Sequence, residues 1–222
     1  SCGNNGNCIQ MIYADNSYIA LDGISINDNG YGVFFKQSSG EIINSDIDIN
    51  CAAVNTNGFK QTGTIKHTLL INDNVLTTAE GAGITAYDQA RISASRNTIS
   101  GAEQGSGIAV RSSTAELIDN TIGPIGGFNG LWIYGTSEVT AIGNNISNTG
   151  KEAVVHGEYH YQDSGWPSIQ PSESRLYMEN NVIDTNTGTC NSLKMYGGDF
   201  QCPAIHIFRA SATLYNNVVK NN

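Results

Sequence analysis

The chain has 222 residues, the size of one ordinary domain, and only 14% of them are charged, against about a quarter in most globular proteins. With 11 basic and 20 acidic side chains its net charge is −9. Such a surface repels nucleic acid and anionic membranes as main partners, and no apolar run approaches the roughly 18 residues that span a bilayer.

Asn (26) and Gly (25) are abundant, as in a turn-rich β protein. Many of the Asn residues fall in one recurring substring, aliphatic-x-x-Asn-x-aliphatic. Its central position is read at Asp22, Ser45, Asn74, Asn97, Asn120, Asn144, Asn181 and Asn217, with intervals of 23, 29, 23, 23, 24, 37 and 36 residues. A short period of this kind signals a solenoid, in which each repeat buries its inward side chains only against its neighbours. The flanking columns satisfy that demand. Three residues earlier stand Ile19, Ile42, Ile71, Ala94, Leu117, Ala141, Met178 and Leu214; two residues later stand Ile24, Ile47, Leu76, Ile99, Ile122, Ile146, Ile183 and Val219.

About 23 residues is too short for a strand and a full helix, but it suits three short strands joined by bends. The expected fold is therefore all-β: a single-domain parallel β-helix over residues 1–222, of about 8–9 coils and on the order of 40 Å long at about 4.8 Å per coil. Amides stacked at that spacing can hydrogen-bond into a ladder, which explains Asn at the bend. A further strand precedes each bend by about 10 to 13 residues and often reads Gly-aliphatic-x-aliphatic. Its inward pairs are read as Ile9 and Met11, Val33 and Phe35, Ile84 and Ala86, Ile108 and Val110, Leu131 and Ile133, and Ile205 and Ile207, with Val154 in the equivalent place. The coil between Ser45 and Asn74 shows no clear pair. Two long insertions, about 157–172 and 185–203, lie near the C-terminal end.

These columns resemble the right-handed parallel β-helix superfamily, the solenoid of pectate lyases, pectin hydrolases, phage tailspikes and surface adhesins. The ladder Asn74, Asn97, Asn120, Asn144, Asn181 and Asn217 carries the resemblance, with Ile or Val two places on. It specifies the fold and leaves the function open, because one solenoid hosts enzymes, binders and scaffolds alike. The superfamily usually caps its first coil with an amphipathic helix. Residues 1–8 are rich in Gly and Asn and suit no such helix, and the chain stops just after a ladder position, so both ends of the rod are expected to be open.

Ser1-Cys2-Gly3 reads as the start of a mature secreted protein, and the expected location is extracellular or the cell surface. Of five cysteines, Cys190 and Cys202 bracket one insertion and are the expected disulfide; Cys2, Cys8 and Cys51 leave several pairings open.

Chemistry is expected on the outward face of the Gly-aliphatic-x-aliphatic strands and in the loops beside it. Tyr87, Arg111, Trp132, Tyr134, His206 and Phe208 would face outward there, with Trp166 close by in the first insertion, and aromatic rings in a row can stack on sugars. His156, Glu158 and His160 occupy alternate positions, so in an extended segment all three would point one way. That geometry suits proton transfer, and these are the candidate catalytic residues. In a lyase, Arg111 or Lys194 would neutralise a uronate carboxylate; in a hydrolase, Glu158, Asp163 and Asp199 would supply the carboxylates. No residue is assigned to a metal and no cofactor is named, although a divalent cation such as calcium would be compatible. The preferred reading is an extracellular structural module whose partners are like subunits end to end, or carbohydrate. The alternative is a polysaccharide lyase or glycoside hydrolase.

Overall fold

Alternation of apolar and polar residues along short segments favours strands, and a residue able to adopt left-handed backbone at each bend turns one strand into the next. The computed structural model describes residues 10–28, 30–58, 68–157, 173–184, 189–190, 200–208 and 210–222, and these form eight rungs of a parallel β-solenoid. Each rung contributes one strand to each of three eight-stranded parallel sheets. The first sheet runs Gln10–Asp15, Tyr31–Lys36, Val54–Asn57, Ile84–Tyr87, Ile108–Arg111, Leu131–Tyr134, Val154–Gly157 and Ile205–Phe208. The second begins with Tyr18–Asp22 and includes Thr114–Ile118, Glu138–Ile142, Arg175–Glu179 and Ser211–Tyr215; the third begins with Ser25–Asp28 and ends with Val218–Lys220.

The bend between the second and third sheets is the same in every rung. Gly23, Asn44, Asp73, Arg96, Asp119, Gly143, Asn180 and Asn216 all have φ between 51° and 68°. The next residue is the ladder position. From Asn74 to Asn181, each Asn donates its peptide N–H and one amide hydrogen to the Oδ1 of the Asn on the following rung. For Asn120 those distances are 3.0 and 2.9 Å to Asn144. The other amide hydrogen goes back to a carbonyl on the preceding rung, Ala94 O at 2.9 Å. Every polar atom of these buried amides therefore has a partner.

Inside, the columns line up as the sequence pattern implies: Ile47, Leu76, Ile99, Ile122, Ile146 and Ile183 are successive register partners in the third sheet, each at most 1% exposed. Gly40, the register partner of Leu69 in the second sheet, carries no side chain for a steric reason. A Cβ there would strike the Ile19 carbonyl and lie 3.1 Å from the ring of Phe35, which fills the space instead.

Two assignments need correction. Leu21 pairs with Ile42, and the Ile24 N–H donates to Ser45 Oγ at 3.3 Å, so Ile24 and not Asp22 stands at the ladder position of rung one. The inward pair of that rung also moves, to Ile12 and Ala14, register partners of Val33 and Phe35, while Met11 is 42% exposed. In rung three the pair is Val54 and Thr56, set 20 and 18 residues before Asn74. Within the second long interval, Thr189–Cys190 and Phe200–Gln201 form a small antiparallel pair.

Asn120→Ala strips partners from Asn97, Asn144 and the Ala94 carbonyl at once. It is expected to lower unfolding stability by roughly 3 kcal/mol or more, given about 1–3 kcal/mol for each buried group left unpaired. Asn217→Ala, on the half-buried last rung, should have a clearly smaller effect; denaturant midpoints of the two variants check this order.

Candidate functional site: the outward face and its corner groove

Because the side chains of the first sheet alternate, the residues between its inward pairs form outward columns running along the rod. Tyr87, Arg111 and Tyr134 are successive neighbours in one column. Trp132, Val155 and His206 are neighbours in another. Phe208 lies on the same face as the register partner of Gly157. The fold thus gathers these six expected contact residues, spread over more than a hundred positions of sequence, on one surface.

The Trp132 and Tyr134 rings stack with centroids 4.4 Å apart at 21°, and Tyr87 meets Tyr134 edge-on at 6.5 Å. Burial pushes both Tyr hydroxyls above their ordinary pKa, which keeps them protonated hydrogen-bonding groups at neutral pH. The Arg111 guanidinium sits 4.6 Å over the Tyr87 ring, and one of its nitrogens lies 2.9 Å from each Asp88 oxygen. Arg111, one of the two cations expected to neutralise a uronate, is thus already committed to a carboxylate. The same arrangement recurs between other adjacent rungs, in Lys36 with Asp15, Arg96 with Asp73 and Lys220 with Asp184. The outward-facing Thr85, Ala109 and Val155 are only 4%, 2% and 2% exposed, so this face is not a bare sheet.

His156 is not on that face. It pairs in register with Ile133 and Ile207, points into the coil and is fully buried, because it falls on the inward parity of its strand. Its Nε2 lies 2.8 Å from Ser174 Oγ, and Nδ1 has no hydrogen-bond partner among the described residues. Burial lowers its pKa from 6.5 to about 4. An imidazole so enclosed does not reach a substrate on the outward surface. Glu158, His160, Asp163, Trp166, Lys194 and Asp199 lie outside the described residues, as do Cys2, Cys8 and the Cys190 side chain. Cys51 and Cys202 are each disulfide-bonded; five rungs separate them, so neither is the other's partner.

One polar cluster was not singled out from sequence. Glu152, 1% exposed, accepts a hydrogen bond from Asn129 Nδ2 at 3.0 Å, and its other oxygen lies 3.6 Å from His206 Nδ1. Burial alone would raise the Glu152 pKa, but His206, its own peptide N–H and Asn129 more than offset it and hold the carboxyl below its ordinary value. Glu152 stands two residues before inward Val154, just as Asn129 precedes Leu131 and Ser106 precedes Ile108. That polar column was the available signal. No group of three or more metal-ligating side chains occurs among the described residues.

The corner between the first and second sheets carries a second unforeseen column. Ser17, Ser38, Ser113, Ser137 and Ser174 each stand one residue before a second-sheet strand. Ser113 and Ser137 are buried and donate to the carbonyls of Arg111 and Tyr134, both at 2.8 Å. They form part of the floor of a groove of about 640 Å³ whose other lining includes Gln89, Ser112, Thr136, Glu138, Glu173 and Arg175.

No protein-family model, no curated protein and no solved structure matches this chain.

His156 makes stability depend on pH. Its folded pKa, about 4, lies below the unfolded value of 6.5, so between these pH values the unfolded chain takes up a proton that the folded chain refuses. Stability present above pH 6.5 is therefore lost as pH falls toward 4, by up to roughly 3 kcal/mol from this residue alone. Urea unfolding of wild type and His156→Gln across that window should show the wild-type slope reduced in the variant.

Proposed function

We propose that this chain is an extracellular structural module of the right-handed parallel β-helix superfamily, a rigid rod that joins like subunits end to end and offers its aromatic face to carbohydrate. The observation that carries the reading is the rung-to-rung register: eight rungs stack in three parallel sheets on one Asn ladder, so each rung presents the same strands and apolar columns for a neighbour to pair with. Leu214 belongs to one of those columns and is 45% exposed. The disulfides at Cys51 and Cys202 support an oxidising, extracellular setting, and the stacked Trp132 and Tyr134 support contact with sugars.

Sedimentation velocity over a range of concentrations tests the assembly. Concentration-dependent association, abolished by Leu214→Lys, is the expected result, and monomers throughout would sink the reading. Head-to-tail stacking sets Asn217 against Ile24, whose side chain accepts no hydrogen bond. Ile24→Asn supplies the missing acceptor and is expected to strengthen association.

The contact between Glu152 and His206 favours a second reading, a polysaccharide lyase or glycoside hydrolase. A buried carboxylate beside an imidazole at the edge of an aromatic row can orient it for proton transfer. This reading expects unsaturated or reducing ends to be released from a glycan, and the release to be lost in His206→Ala; activity unchanged in that variant would refute the assignment.

A further inference from the structure

The corner groove differs in character from the aromatic face. Thr114, Glu138, Arg175 and Ser211 line it as successive register partners in rungs five to eight, so hydrogen-bonding side chains recur once per rung along the rod, about every 4.8 Å. Gln89 extends the row to rung four, which makes it on the order of 20 Å long. The groove's volume, about 640 Å³, lies within the range of small-ligand sites, roughly 300–1,000 Å³. Its lining is hydroxyl, amide, carboxylate and guanidinium, with no aromatic side chain among the described residues. Ser113 and Ser137 already donate to backbone carbonyls and serve as floor, whereas Thr136, Glu138, Glu173 and Arg175 are exposed and available to a ligand.

We infer that this groove binds a neutral oligosaccharide laid along the rod axis. The inference rests on the reading that carbohydrate is a partner of this chain, and adds the place and the sugar class. An extended peptide fits less well. Thr114–Ile118 and Glu138–Ile142 beside the groove are paired on both sides, so they offer no strand edge, and the described lining holds no apolar pocket for a side chain. A polyhydroxylated chain can instead exchange hydrogen bonds with side chains that both donate and accept. Charge selects among sugars: two carboxylates, Glu138 and Glu173, face one guanidinium, Arg175, on a chain of net charge −9, and Arg111 nearby is held by Asp88. Uronates are therefore disfavoured.

Titration calorimetry and ¹⁵N amide shifts with β-1,4-glucose, β-1,4-xylose and α-1,4-glucose hexamers, and with hexagalacturonate, provide the test. The expected result is that a neutral hexamer binds, shifts the amides of Ser112, Thr136 and Arg175, and loses about tenfold or more in affinity, roughly one or two hydrogen bonds, in the double variant Glu138→Ala, Arg175→Ala. These side chains are exposed, so the variant should melt with the wild type. If Trp132→Ala abolishes binding while the groove variant keeps it, the groove assignment falls and sugar contact at the aromatic face stands. Tighter binding of hexagalacturonate overturns the charge argument, and a Gly/Ser peptide that shifts the same amides with no hexamer doing so overturns the sugar class. Binding of no hexamer at all overturns both the groove and the wider carbohydrate reading.

Discussion

The amide-to-amide hydrogen bonds passed from rung to rung at the bend set the register of everything else. A solenoid rung cannot bury its own apolar residues and depends on the rung above and below. A carboxamide suits the bend because it carries both donors and acceptors, so one side chain can serve the rung before and the rung after. Asn97, Asn120, Asn144 and Asn181 do both, inside a low-dielectric core where an unpaired amide would be heavily penalised. A slip of one residue would break this chain and turn the aliphatic columns outward together.

Register also determines the surface. Once the rungs are locked, the acids of one rung fall beside the bases of the next, as Asp73 does with Arg96 and Asp88 with Arg111. Pairs this exposed add little stability, but they commit those cations locally. The same parity sends Trp132 outward and His156 inward, although both lie on first-sheet strands and both were expected to be functional.

Much of this was legible in the residue order, and the failures have identifiable causes. Asp22 was misread because Ile19, Leu21, Ile24 and Ile26 keep their alternation when the frame moves by two, and only pairing with Ser45 separates the frames. The inward pair of rung three was hidden by the longer stretch before Asn74 and by Thr56 in an otherwise aliphatic column. His156 was taken with the polar residues that follow it, since a histidine does not advertise a core position. Its burial beside Ser174 depends on a serine column that carries no periodic apolar signal. Glu152 was overlooked because its significance comes from Asn129, one rung before, and His206, one rung after on the adjacent strand of the first sheet.

The sequence by itself determined the all-β solenoid, the ladder from Asn74 to Asn217 and the outward parity of Trp132, Tyr134 and His206. These follow from local periodicity and from the chemistry of a side chain that must pair with its own copy one turn away. Only the tertiary structure decided that Arg111 is held by Asp88, that His156 is enclosed, and that the serine-floored corner opens into a groove. Each of those depends on which residues become neighbours across rungs, and insertions of unequal length between the bends make that spacing invisible along the chain.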